Sequence, residues 1–227
     1  MKKNLLFIAI MILCVSTQAQ LTIAPQIGGG ESTLKMTSTA IGSIKNVPSY
    51  YAEAGAEVRY QVLDFLSIET GALYQYSMQK YTTSLFGLVL LTTNNTLHYI
   101  NLPLEVVYRK RKGGFYGGAG VNFGLGISGK QEQTSFFGTK TTKSYKFDGK
   151  VNTTADPKQH LKFLNTGINA KLGYSFKSFF IGANTTIGLS NVSPDKTPTK
   201  ISLKTATYGI HLGWALHCGK EKMKHKK

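Results

Sequence analysis

The sequence predicts an all-β chain: an eight-stranded antiparallel up-and-down transmembrane β-barrel. Three observations predict it. Eight segments alternate apolar with polar or small residues, the period of a strand with two different faces. Beyond the first residues no run of about 18 apolar residues occurs, so no membrane-spanning helix is indicated. The connections alternate short and long, as they do when neighbouring strands are joined around a barrel with all short turns at one rim.

The elements follow in chain order. Lys2 and Lys3, the apolar run Leu5 to Val15, and small residues at Thr17 and Ala19 read as an export signal cleaved after Ala19. That assigns 1–19 to a signal peptide, 20–218 to the barrel and 219–227, "GKEKMKHKK", to a basic periplasmic tail. Cleavage removes Cys14 and leaves Cys218 without an internal disulfide partner. Strands are expected near 20–29, 50–62, 65–80, 97–109, 114–129, 161–176, 179–191 and 203–217. Short turns fall near 62–65, 110–114 and 177–178. Long loops fall near 30–49, 81–96, 130–160 and 192–202. Outer-membrane barrels turn short connections toward the periplasm, so both termini are expected there.

Parity assigns the faces. In "YINLPLEVVYR" one face carries Ile100, Leu102, Leu104, Val106 and Tyr108, and the other Asn101, Pro103, Glu105 and Arg109. Pro103 cannot donate to a ladder, which predicts a bulge or local bend. In the fifth strand Phe115, Val121, Phe123, Leu125 and Ile127 oppose Tyr116, Asn122, Ser128 and several glycines. The face of Gly, Asn, Ser and charge is assigned to the lumen, where the glycines make room for Tyr and Arg. Its ionisable residues are Glu53, Glu57, Arg59, Glu69, Glu105, Arg109, Lys171 and His211. An eight-stranded barrel is just wide enough for side chains to fill, so these groups are expected to pair as a structural plug. A narrow gated pore or proton path is the alternative use of such charges. Seven aromatics of the apolar parity collect near the short-turn rim: Tyr60, Tyr108, Phe115, Tyr174, Phe176, Phe179 and Trp214. They are assigned to an interfacial girdle. A soluble periplasmic lipocalin-like binding barrel would turn the apolar face inward instead.

"HYINLPLEVVYR" followed by "GGFYGGAGVNFGLGISGK" resembles the PorT-like outer-membrane β-barrel family of Bacteroidetes. "LNTGINAKLGYSFKSFFIGANTTIGLSNV" and "ATYGIHLGWAL" are similar to that family's closing strands. The resemblance implies an outer-membrane location, and one member type assists type IX secretion.

The formal charge of +16 suits contact with outer-membrane lipid and lipopolysaccharide rather than nucleic acid. Envelope or secretion-complex proteins are further expected partners. His98 and His160 lie near the long-loop rim, but no spacing marks a catalytic triad. No catalytic residue, cofactor site or metal-ligand cluster is expected, so the reading is non-enzymatic, against the alternative of a lipid-modifying enzyme. The apolar run "SLFGLVLL", Ser84 to Leu91, is expected either to bind a partner or lipid or to lie where strands project beyond the membrane and pair.

Overall fold

Alternation of small or polar with apolar residues gives strands in almost every segment of the chain. The computed structural model describes residues 21–37, 43–86, 88–110, 113–150, 159–194 and 202–218. Its regular elements are all strands: β1 (Leu21–Thr37), β2 (Ser43–Val47), β3 (Ser49–Leu63), β4 (Leu66–Leu85), β5 (Leu88–Arg109), β6 (Gly114–Ser135), β7 (Lys140–Lys146), β8 (Gln159–His160), β9 (Leu164–Phe176), β10 (Phe179–Gly188), β11 (Ser202–Trp214) and β12 (Leu216–Cys218). The expected signal segment 1–19 and tail 219–227 lie outside the described residues.

Eight long strands close a ring in the order β1, β3, β4, β5, β6, β9, β10, β11 and back to β1, every pair antiparallel. Closure leaves this ring no free edge, so each backbone donor can be satisfied where no water reaches. The last strand is broken at Ala215, after which β12 continues along β1 with Leu21 opposite Cys218. The turns β3–β4, β5–β6 and β9–β10 and the described chain ends share one rim.

Several boundaries depart from the sequence reading. β1 runs to Thr37 rather than stopping near residue 29. The expected long loop 81–96 is a continuation of β4 and β5, paired up to Leu85 opposite Leu88. The expected loop 130–160 begins as strand: β6 continues to Ser135, and β7 turns back along it. β2 pairs with β4 above the end of β3. β2, β4, β5, β6 and β7 thus form a sheet standing above the ring. At the other end of the estimates, β9 starts at Leu164 and β10 ends at Gly188, both inside their predicted segments.

Parity decides burial. Glu105, Val107 and Arg109 are buried, while Leu104, Val106 and Tyr108 are exposed on the outer surface. The apolar residues therefore clothe the outside, which excludes the lipocalin-like arrangement. Pro103 produces no bulge. The β4–β5 register is the same on both sides of it, and the ladder simply skips the pairs facing Leu102 and Pro103. Thr70 Oγ1 donates to the Pro103 carbonyl at 2.8 Å. The bulge in this region lies between His98 and Tyr99 against β6. It reverses the parity of β6 beyond Ile127, so Ser128, expected in the lumen, is exposed and Gly129 is buried.

Candidate functional site: a plugged lumen and a built outer rim

The lumen is filled by ions that converge on Lys171. Its Nζ lies 2.9 Å from Glu57 Oε1 and 2.8 Å from Glu69 Oε2, and it also contacts Glu105. Arg59 reaches Glu57 at 3.3 Å and Glu69 at 3.5 Å, and Arg109 reaches Glu69 at 3.0 Å. Three carboxylates thus meet three cations, and all six side chains are almost fully buried. Such charges persist in a low-dielectric interior only when paired and further hydrogen-bonded. The further bonds come from Gln26 and Asn169, which donate to Glu57 and Glu105, and from Ser67, which donates to Glu69. The carboxylates of Glu57, Glu69 and Glu105 lie within 4.8 Å of one another, as metal ligands could. Here the Lys171 ammonium takes the place of the cation.

Aromatic rings stack against the arginines. Arg59 stacks 4.0 Å above the Phe180 ring, and Arg109 stacks 3.9 Å above Tyr116. The Tyr116 hydroxyl meets His211 Nε2 at 2.7 Å. Tyr116 fits because Gly173 and Gly182 face it: a Cβ at either would come within about 2.5 Å of its hydroxyl. Glu53 stands slightly apart and accepts from Asn184 Nδ2 at 3.1 Å. A polar cavity of about 30 Å³ remains beside the cluster, lined by Glu53, Glu57, Glu105, Lys171 and His211 among others. That holds about one or two waters. Glu53, Glu57, Arg59, Glu69, Glu105, Arg109, Lys171 and His211 are all buried. The sequence reading did not place Phe180, Leu73 and Val107 in the lumen, although each is buried there.

A second layer closes the long-strand mouth. Leu97, Tyr99 and Leu161 are buried together, with Tyr145, Phe147 and Leu203 packed against them. Phe147 stacks edge-on to Tyr99 and lies against Gly126, where a Cβ would meet its ring at 2.0 Å. Tyr145 donates to Asn95 at 2.8 Å and accepts from Gln131 at 3.0 Å. Just above, His160 Nδ1 meets Asp148 at 2.6 Å, and Lys146 lies 3.6 Å from the same carboxylate. Desolvation works to raise the Asp148 pKa, but the hydrogen bonds from His160 and the Lys150 amide outweigh it and hold the carboxyl at about 2.

The predicted aromatics cluster on the outer surface at the short-turn rim. Phe176 faces Phe179 across the β9–β10 turn, Phe179 faces Trp214, and Phe115 faces Tyr174. Tyr108 lies opposite Leu66, and Tyr60, which is half-buried, opposite Ile68. A second aromatic row, unnoticed in the sequence, lies toward the other rim. Tyr74 and Tyr76 flank His98, whose Nδ1 is 2.6 Å from the Tyr74 hydroxyl, and Tyr208 is exposed at a similar height. His98 therefore faces outward among tyrosines, and His160 is buried in the mouth.

Comparison with known families decides what kind of barrel this is. The family model described as "outer membrane protein beta-barrel domain" matches residues 18–193. The chain belongs to that family. This outer-membrane barrel also aligns with solved structures at low identity. One is Ail, the attachment invasion locus protein of Yersinia pestis, solved with a heparin analogue (14% identity, 87% of this chain and 99% of that one, TM-score 0.37). Another is the outer membrane protein OprG of Pseudomonas aeruginosa (12% identity, 88% and 96%, TM-score 0.42). A third is the N-terminal barrel domain of Pseudomonas aeruginosa OprF (14% identity, 88% and 100%, TM-score 0.36). The comparison with curated protein sequences found no match.

Proposed function

We propose that this outer-membrane barrel is a non-enzymatic surface protein, a plugged anchor whose long-strand rim performs recognition. The observation that carries this reading is the contrast between the two parts. The lumen is filled by the Lys171 ion-pair network and capped by Phe147, leaving a cavity of about 30 Å³ that admits no solute. The rim above it is a paired sheet of β2 and β4 to β7. In this reading export is followed by cleavage after Ala19, and the short turns and both termini face the periplasm. Trp214, Phe115, Tyr174, Phe176, Phe179, Tyr60 and Tyr108 sit at the periplasmic headgroup level. The eight lumen ionisable residues serve as a structural plug, and the rim lysines meet lipopolysaccharide.

Two measurements test the reading. The purified protein in a planar bilayer should pass no steady current. An impermeant thiol reagent should label Thr139→Cys, beside the β6–β7 turn, on intact cells. Ohmic conductance or an unlabelled turn would contradict it. A place in a secretion complex is supported by the PorT-like motifs "HYINLPLEVVYR" and "GGFYGGAGVNFGLGISGK". Co-purification of secretion proteins in mild detergent tests that role.

A further inference from the structure

The sheet above the ring ends in two neighbouring hairpin tips, and both are greasy. At the β4–β5 tip Phe86 is 97% exposed, followed by the exposed Leu88, Val89 and Leu90. At the β6–β7 turn Phe137 is 90% exposed and Phe136 is also exposed. The tips are joined, since the Phe136 amide donates to the Leu90 carbonyl at 2.9 Å. The β6–β7 turn is itself closed by Gly138 N to Ser135 O at 2.9 Å, with Gly138 at φ +82°. These apolar groups are therefore held on a paired scaffold.

Phe86 also has the wrong backbone for its side chain. Its φ is +52°, a left-handed conformation in which Asn or Gly is at ease and a bulky residue is strained. A polar turn residue would be more stable and more soluble there. Strain retained at an exposed apolar apex points to a use for the ring.

Charge identifies what the tips meet. β2, β7 and the projecting parts of β4 to β6 carry Lys45, Lys80, Lys130, Lys140, Lys143 and Lys146, opposed by Glu132 and by Asp148, which pairs with Lys146. The tips cannot reach the protein's own hydrocarbon layer. From His98 in the upper aromatic row to Leu88 the strand runs about 33 Å along its length at about 3.3 Å per residue, a rise of about 25 Å for a strand tilted by about 40°. A convex apolar apex above a lysine collar is suited to a bilayer interface, where rings enter the headgroup region and lysines meet anionic lipid.

We propose that the paired tips form a wedge that inserts into the surface of a second, anionic phospholipid bilayer, with Phe86, Phe136 and Phe137 entering the interface and the lysine collar holding its headgroups. This rests on the reading of the long-strand rim as the recognition face, and names its partner.

Full-length protein in zwitterionic nanodiscs, mixed with protein-free vesicles and floated, tests the wedge. Wild type should float with phosphatidylserine-containing vesicles, should not float with pure phosphatidylcholine vesicles, and should be released by salt. Phe86→Asn combined with Phe137→Ser should weaken binding about tenfold for each ring removed. Asn is at home in the left-handed turn, so Phe86→Asn alone should keep the heat-modifiable folded band on gels while losing affinity. Unchanged flotation of the double variant would overturn the proposal. So would wild type that ignores protein-free anionic vesicles but binds membranes still bearing their proteins, which would make the partner a protein. The nanodisc exposes both rims, so this result does not depend on orientation. An unlabelled Thr139→Cys on intact cells would refute the surface reading separately.

Discussion

Replacing Lys171 with methionine tests the plug at its centre. The substitution keeps the length of the side chain and removes the ammonium that lies 2.8 Å from Glu69 and 2.9 Å from Glu57. Glu57, Glu69 and Glu105 then face one another within 4.8 Å with only Arg59 and Arg109 to neutralise them. Two like charges at that separation repel by about 3.5 kcal/mol at an effective dielectric constant of about 20. Breaking a buried ion pair from one side costs about 3–5 kcal/mol. Lys171→Met should therefore destabilise the barrel by about 3–5 kcal/mol. Urea unfolding in detergent, followed through the fluorescence of Trp214, the single tryptophan, reads this directly. The double variant Lys171→Met with Glu105→Gln removes the surplus negative charge and should recover a large part of the loss. Equal midpoints for wild type and Lys171→Met, or a double variant worse than the single one, would refute the reasoning.

Other expectations follow from the same geometry. Glu105→Ala should cost less than Lys171→Met, because Lys171 keeps Glu57 and Glu69 as partners; the same urea titration ranks the two. Gly126→Ala should drive the Phe147 ring out of the mouth, and trypsin should then cut faster after Lys146 and Lys150 while the barrel stays folded. The Asp148 carboxyl is held below its ordinary 3.8, at about 2, so its contribution to the closed loop is complete above about pH 4 and is lost as pH falls through about 2. Hydrogen-exchange protection of the Gly149 and Leu161 amides, taken relative to the intrinsic rate at each pH, should fall across that window. An Asp148→Asn variant should show no such change there.

Much of the barrel could be read from parity because the two faces differ so strongly in chemistry. Leu104 beside Glu105, or Leu172 beside Lys171, leaves little choice of which side meets water-free hydrocarbon. The reading failed where that contrast fades. In Thr92, Thr93, Asn94, Asn95 and Thr96 both faces are polar, so the extension of β5 looked like a loop although its threonines favour strands. It failed again at the bulge near His98, where one extra residue moved Ser128 to the opposite face. Phe180 carried the lumen parity but looked out of place there until the Arg59 guanidinium was seen above it. Which ions pair was not legible, since Lys171 and Glu57 are 114 residues apart and only ring closure brings them together. The Phe147 cap was hidden because nothing local shows that its segment folds back along β6, which is what sets Phe147 into the space that Gly126 leaves.

The central claim is that hydrocarbon surrounds the outside of this cylinder and ions fill its inside. A spin label at Leu104→Cys, in a Cys218→Ser background reconstituted into lipid, tests it most directly. The account predicts a label readily relaxed by oxygen and shielded from a water-soluble nickel chelate. A label open to the chelate, or one shielded from both because it is packed within the barrel, would contradict it.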